Sequence, residues 1–185
     1  MRAVVLDDKG GPEVLTVREV PEPEPGPEEV LVKVRSTALN RADLLQRRGL
    51  YPPPPGASDV LGLECAGHIS AIGPEVATFA VGERVMALLA GGGYAEEAVA
   101  PFGSVWRTPE RLTDPEAAAV PEGFLTAYLN LFVLGKVAPG EHVLVHGGSG
   151  GVGTAAVQLL RAAGTRVAVT AGSRSRCQRC LDLGA

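Results

Sequence analysis

His142-Val143-Leu144-Val145-His146 runs directly into Gly147-Gly148-Ser149-Gly150-Gly151-Val152-Gly153. The first five residues are a short apolar run suited to a buried parallel strand. The next seven are glycine-rich, with Gly147, Gly150 and Gly153 spaced as G-x-x-G-x-x-G. Thr154 to Ala163 then predicts a helix, apolar at Ala155, Val157, Leu159, Leu160 and Ala163 and stopped by Gly164. Arg166 to Thr170 reads as a second buried strand and Ser175 to Leu183 as a second helix. Strand, glycine loop, helix, strand is one βαβ unit, here with a trailing helix.

A glycine cluster in isolation is equally well a plain loop. Between a strand and a helix it has a specific use. Glycines let the backbone turn sharply and approach a pyrophosphate closely, and the unsatisfied N–H groups of the helix start bind phosphate oxygens. Dinucleotide binding is therefore expected at Gly148, Ser149, Gly150, Gly151, Val152 and Gly153. No Lys-Ser or Lys-Thr follows, so this is not a nucleoside-triphosphate loop. The second strand ends at Thr170, and Ala171-Gly172-Ser173-Arg174-Ser175-Arg176 follows. An NAD site would place a carboxylate there for the ribose 2′-hydroxyl. Instead Ser173, Arg174 and Arg176 offer donors for a 2′-phosphate, which points to NADPH. A solvated helix start is the plainer reading of the same arginines.

Upstream, the chain reads mostly as β-structure. Strands are expected at Arg2 to Leu6, Val14 to Val20, Val30 to Ser36, Glu64 to Ile72, Arg84 to Leu89 and around Ala98-Val99. Pro21 to Pro27 is a proline-rich connector, and Asn40 to Arg48 has helical character. The character changes near Asp114-Pro115-Glu116. Asp114 is expected to cap a helix with Pro115 at its first position, and Ala117 to Leu134 to continue as a long apolar helix interrupted near Pro121.

Composition narrows the function classes. The 185 residues are 45% hydrophobic and 21% charged, with a net charge of −4 and 4% aromatics. That balance suits a folded globular chain and gives little for gripping nucleic acid. The apolar run before Asp7-Asp8 is too short for a signal peptide, and no stretch is apolar enough to span a bilayer. A cytoplasmic location without membrane or nucleic-acid partners is expected. Three cysteines do not make a disulfide framework. Cys177 and Cys180 are spaced as C-x-x-C, but only Cys65 remains as a further thiol, so a metal or redox pair is not expected. His68, His142 and His146 have no ligand spacing.

Gly140-Glu141 through Leu144, Gly148-Ser149-Gly150-Gly151, Gly153, Gln158 and Arg161 resemble the signature stretch of the quinone oxidoreductase (zeta-crystallin) group of the medium-chain dehydrogenase/reductase superfamily. Asn40-Arg41-Ala42-Asp43, Gly49-Leu50-Tyr51-Pro52-Pro53-Pro54, Leu61-Gly62-Leu63-Glu64, Gly82-Glu83-Arg84-Val85 and Gly92-Gly93-Tyr94-Ala95-Glu96 resemble further landmarks of that group. The resemblance spans the whole chain. It implies a fold of class α/β plus β: a GroES-like β-barrel domain over residues 1–114, then the first βαβα part of a Rossmann NADPH-binding domain over residues 115–185. It also implies that the sequence is an N-terminal portion, since members of the group are longer and dimeric.

The same resemblance sets expectations for the site. The positions that match zinc ligands of related alcohol dehydrogenases carry Asn40, Leu63 and Glu122, so a zinc-independent member is expected. The implied activity is hydride transfer from NADPH to a quinone or activated enone, with Tyr51 as cleft wall and hydrogen-bond donor. Asn40 is expected to contact nicotinamide or substrate while capping the helix after it. Thr126 matches a threonine near the nicotinamide. A turn tyrosine and a buried helix threonine are the plainer readings of Tyr51 and Thr126. Asp43 and Glu64 are expected to serve structure. A non-catalytic NADPH-binding protein or an inactive truncated form is the alternative to an enzyme.

Overall fold

The computed structural model describes Met1–Ala185. Contacts divide it into two compact units, Met1–Pro121 and Glu122–Ala185.

The first unit is built on a five-stranded antiparallel sheet of order β6-β3-β4-β5-β7. Its strands are β3 (Glu29–Thr37), β4 (Glu64–Ile72), β5 (Arg84–Leu88), β6 (Glu97–Pro101) and β7 (Val105–Arg107). A hairpin of β1 (Arg2–Leu6) and β2 (Leu15–Glu19) joins it through a bridge between Ala3 and Ala95. This curled sheet with its hairpin is the GroES-like fold.

Period-two alternation drives the packing. Val30, Val32, Cys65, Ile69, Val85, Ala87, Ala98, Ala100 and Val105 form one buried cluster. β3 bulges between Val34 and Ser36. Beside that bulge, a Cβ at Gly67 would overlap the Lys33 carbonyl, so only glycine lets the two strands close. Sequence reasoning overlooked β7: with three residues, and Arg107 outermost, it has too little alternation to register.

Short helices α1 (Arg41–Arg47) and α2 (Asp114–Ala118) complete the unit. α2 packs on β3 and β4, burying Ala117 and Ala118 against Ala66. The contact division of the chain therefore falls after α2. One expectation needs correction here. Thr113, not Asp114, caps α2: its Oγ1 accepts the Glu116 N–H, and the Glu116 carboxylate reaches back to the Thr113 N–H at 2.9 Å. Asp114 instead accepts a hydrogen bond from Arg84 at 2.7 Å. The apolar stretch Ala117 to Leu134 is helical and interrupted at Pro121 as expected, and it forms three pieces: the end of α2, then α3 (Pro121–Tyr128), then a π-helical run Leu129–Leu134. Proline lacks the N–H that would continue a helix but suits the first position of a new one, so the chain breaks and restarts at Pro121.

The second unit pairs β8 (His142–His146) with β9 (Arg166–Thr170) in parallel. α4 (Gly151–Ala162) and α5 (Arg174–Leu183) pack with them. The expected buried strands are only half-buried, on one face, with the other face exposed. Val145 packs against the cluster of Ala127, Ala155 and Ala156, whereas Leu144 is 57% exposed. α4 starts at Gly151, three residues before the expected Thr154, because Gly151, Val152 and Gly153 already have helical backbone. Gly164 follows the helix in the left-handed conformation that its role as stop signal requires. No helix is long and apolar enough to cross a membrane.

Candidate functional site: a glycine-lined helix start and a carboxylate-held asparagine

In the second unit the glycine loop turns tightly from β8 into α4. The Gly150 N–H donates to the Gly147 carbonyl at 2.9 Å, and Gly148 N–H to Thr170 O at 3.0 Å, which ties the loop to the end of β9. Gly150 is the N-cap of α4 and offers no side-chain acceptor. Gly151, Val152 and Gly153 occupy the first turn, where N–H groups have no carbonyl to pair with inside the helix. The first intrahelical bond falls to Thr154, whose N–H reaches Gly150 O at 2.8 Å.

Two glycines are required by packing. A Cβ at Gly153 would overlap the Gly147 carbonyl oxygen, and one at Gly148 would come within 2.7 Å of Val169. At Gly151 the space is open. The loop thus combines a backbone drawn in tightly behind with open room at the helix start, and its donors are neutral N–H groups at the positive end of a helix dipole. This donor set fits a phosphate diester.

After β9, Ser173 caps α5. Its Oγ accepts the Arg176 N–H at 3.3 Å and lies 3.1 Å from Ser175 Oγ. Arg174 and Arg176 sit in the first turn, exposed, and neither takes part in an ion pair. Arg176 lines a cavity of about 720 Å³ with Ser149, Gly150 and Thr154 of the glycine loop and with Arg179, Cys180, Asp182 and Leu183 of α5. The structure therefore brings Ser149, Gly150 and Arg176 to one cleft; Arg174 does not line it. Arg179 escaped sequence reasoning. Its only signal is the i, i+3 spacing from Arg176, which places both on one helix face. Thr126 is half-buried on α3, and its carbonyl accepts from Asn130 Nδ2 at 2.8 Å. Cys177 and Cys180 lie on α5, with Cys180 fully buried.

In the first unit Asn40 is the N-cap of α1. Its backbone N–H donates to Asp43 Oδ2 at 2.6 Å, and its carboxamide Nδ2 donates to Glu64 Oε1 at 2.7 Å. Tyr94 adds a further donor, its hydroxyl giving a 2.6 Å hydrogen bond to Asp43 Oδ2. Asp43 is 3% exposed and Glu64 2%. Burial, the hydrogen bond to Asp43 and the nearby charge of Glu64 all push the Tyr94 hydroxyl well above the usual tyrosine range. Burial and then Glu64 push the Cys65 thiol up to about 12. Sequence reasoning gave Asp43 and Glu64 only a structural role. The overlooked signal is a carboxylate at Glu64 in the otherwise apolar run Leu61 to Ala66.

Tyr51 is 47% exposed on the loop after α1. It lines a cavity of about 550 Å³ with Gln46, Pro52, Pro53, Ser58 and Asp59, and Asn40 is not part of that wall. Leu63 is buried, and no three His, Cys, Asp or Glu side chains gather as a metal site would need.

The alcohol dehydrogenase GroES-like domain family matches residues 26–110. Human quinone oxidoreductase is 40% identical over 187 residues, covering 100% of this chain and 57% of that protein. Crystallised Escherichia coli quinone oxidoreductase complexed with NADPH aligns with a TM-score of 0.90 at 32% identity, covering 100% of this chain and 57% of that one. A crystallised NAD-dependent alcohol dehydrogenase also reaches 0.90, at 37% identity, with coverages of 100% and 62%. The chain thus spans little more than half the length of the quinone oxidoreductases it matches. The curled GroES-like sheet, the glycine-lined βαβα unit and these similarities lead to one assignment: the chain belongs to the medium-chain dehydrogenase/reductase superfamily.

Proposed function

We propose that this chain carries the cofactor-binding and substrate residues of a zinc-independent reductase that transfers hydride from NADPH to quinones or activated enones. The observation that carries the cofactor half is the pair of guanidinium groups, Arg174 and Arg176, that follows β9 where an NAD site would hold a carboxylate. Similar structures with either cofactor exist, so the choice of NADPH rests on these residues of the chain itself. Of the matching positions Asn40, Leu63 and Glu122, the first two support zinc independence, since a leucine side chain has no donor atom and an amide is a poor zinc ligand; a lone carboxylate at Glu122 does not complete a site. Similarity to human quinone oxidoreductase over the whole of this chain, at 40% identity, supports the substrate class.

NADPH, when bound, supplies the hydride. The N–H groups of Gly151, Val152 and Gly153 bind its pyrophosphate, with Gly148, Ser149 and Gly150 shaping the approach. Ser173, Arg174 and Arg176 bind the 2′-phosphate as charge-assisted partners. Asn40 and Thr126 hold the nicotinamide end. Tyr51 packs on the substrate ring and donates to the oxygen on which negative charge develops. A quinone needs no Lewis acid for this step, because hydride addition yields an aromatic product; orientation is the main demand on the protein. The working site is a small-molecule site, in the cytoplasm, in a homodimer when the chain is of full family length.

Flavin-free protein mixed with NADPH and a naphthoquinone tests the reading by absorbance at the reduced-nicotinamide band. Steady oxidation of NADPH, faster than with equal NADH, is expected. Tight NADPH binding without turnover would overturn the enzymatic reading.

A further inference from the structure

The side chain of Asn40 is held more firmly than a helix cap requires. An N-cap asparagine needs only its own oxygen directed at the first-turn N–H groups. Here the Asp43 carboxylate takes the Asn40 backbone N–H, and Glu64, from β4, takes a carboxamide hydrogen at 2.7 Å. Glu64 is itself anchored. It pairs with Leu88 across the sheet, and its carbonyl accepts the Thr37 hydroxyl at 2.7 Å. Burying a carboxyl group is costly, and two, Asp43 and Glu64, are buried around one asparagine.

The chemistry of the pair removes an ambiguity. A carboxamide can turn over and exchange its donor and acceptor ends at little cost when nothing distinguishes them. An ionised carboxylate only accepts, so it admits the NH₂ end alone. At 2.7 Å the contact is a short charge-assisted hydrogen bond.

We propose that Glu64 is a positioning residue: it locks the Asn40 carboxamide with its NH₂ end toward β4, so that the polar face Asn40 presents to a bound ligand is set before the ligand arrives. The proposal rests on the reading of Asn40 as a nicotinamide or substrate contact. In this proposal Glu64 acts on the ligand through Asn40. Asp43, with Tyr94 behind it, fixes the backbone of the same residue.

The test uses Glu64→Gln, which keeps shape but lets the amide partner offer either end, alone and combined with Asn40→Ala. The first measurement is the side-chain ¹⁵N–¹H pair of Asn40 in the full chain, assigned as the pair absent from Asn40→Ala. One proton is expected far downfield in the unmodified chain and moved toward an ordinary amide in Glu64→Gln. No movement overturns the proposal. The second is quinone turnover. Glu64→Gln is expected to lower kcat about tenfold with little change in the KM for NADPH, the scale of a modest misplacement of reacting groups. In the Asn40→Ala background the same change should cost nothing further. An equal loss in both backgrounds makes Glu64 a structural tie between α1 and β4, and the positioning role fails. Absence of turnover in the unmodified chain overturns the reductase reading instead, and the carboxamide signal alone then decides whether Glu64 sets Asn40. Thermal melting of each variant separates these effects from loss of fold.

Discussion

Gly153→Ala and Gly151→Ala should behave oppositely, although both add one methyl group to the first turn of the same helix. At Gly153 the new Cβ overlaps the Gly147 carbonyl oxygen and lies 2.8 Å from the Gly148 Cα and carbonyl carbon. All three are backbone atoms of the loop that turns β8 into α4, so none can swing aside as a side-chain tip would. Overpacking of this kind costs about 1–3 kcal/mol, and a rigid backbone neighbour belongs at the upper end. Alanine returns up to about 1 kcal/mol through helix propensity. The clash wins, leaving a net loss of about 1–2 kcal/mol. In a unit as small as Glu122–Ala185 that is a fall of about 4–16 °C in the melting temperature. At Gly151 the added Cβ meets nothing, so only the favourable term remains and stability should hold or rise slightly. NADPH titration should follow the same order. Moving the Gly147–Gly148 backbone at Gly153→Ala disturbs the donor loop, and binding should weaken about tenfold or more, whereas Gly151→Ala places a methyl group where phosphate would sit and should weaken binding without loss of stability. Differential scanning fluorimetry with and without NADPH separates the two. Equal melting temperatures for both variants would refute the argument that tight backbone approach, and not glycine content, defines this loop.

Replacing Arg174 and Arg176 together by alanine should weaken NADPH binding about tenfold or more, through loss of charge-assisted bonds each worth about 1.5–3 kcal/mol. Binding of NADH should stay unchanged; equal losses for both would show that the arginines do not read the 2′-phosphate. Tyr94→Phe removes one donor from the buried Asp43 carboxylate and should cost about 1–3 kcal/mol at neutral pH, read by urea denaturation. Tyr94 also makes stability pH-dependent. Its hydroxyl titrates higher in the folded state than the ~10 of an exposed tyrosine, so the folded state keeps the proton longer. That contribution is whole below pH ~10 and falls as pH rises beyond it; the Phe variant should show a flatter decline. A thiol reagent at pH 8 should label Cys177 alone in the native chain. Cys65, buried with its pKa near 12, and the buried Cys180 should react only after denaturation, and fast labelling of Cys65 would contradict its burial.

Much of the second unit is legible in sequence because its signals are local. His142–His146 and Arg166–Thr170 each hold a three-residue apolar centre with a glycine within two residues of either end, and both are strands at those limits. The helix start was misjudged by three residues because Gly151-Val152-Gly153 has poor helix propensity. In the structure these residues are held helical by the close approach of Gly153 to the loop, a tertiary contact that propensity does not register. The break at Pro121 was visible, but not that the chain beyond Leu129 widens into a π-helical run closed by the Gly135 N–H to Asn130 O bond at 2.9 Å. Likewise Thr113 and Asp114 are both good caps in isolation. The choice fell to Thr113 because Arg84, thirty residues away, engages Asp114.

The site divides along the same line. The phosphate-binding half lies on one continuous stretch, and its chemistry follows from spacing alone. The half around Asn40 is assembled from α1, β4 and the loop before β6, which meet only when β3 pairs with β4 and with β6. No window of sequence contains Asn40, Glu64 and Tyr94 together. What sequence does contain is an inconsistency: a glutamate in the otherwise apolar run Leu61 to Ala66. Such a residue must find a partner or destabilise the sheet. One partner it finds is the Asn40 amide, at a position that the resemblance matches to a zinc ligand of related alcohol dehydrogenases. In the proposed zinc-independent site, the Glu64 carboxylate would orient that amide from the protein side. If this is its role, Glu64 should tolerate glutamine far less well than Glu96, whose exposed pairing with Arg2 is screened by water and should be dispensable for turnover.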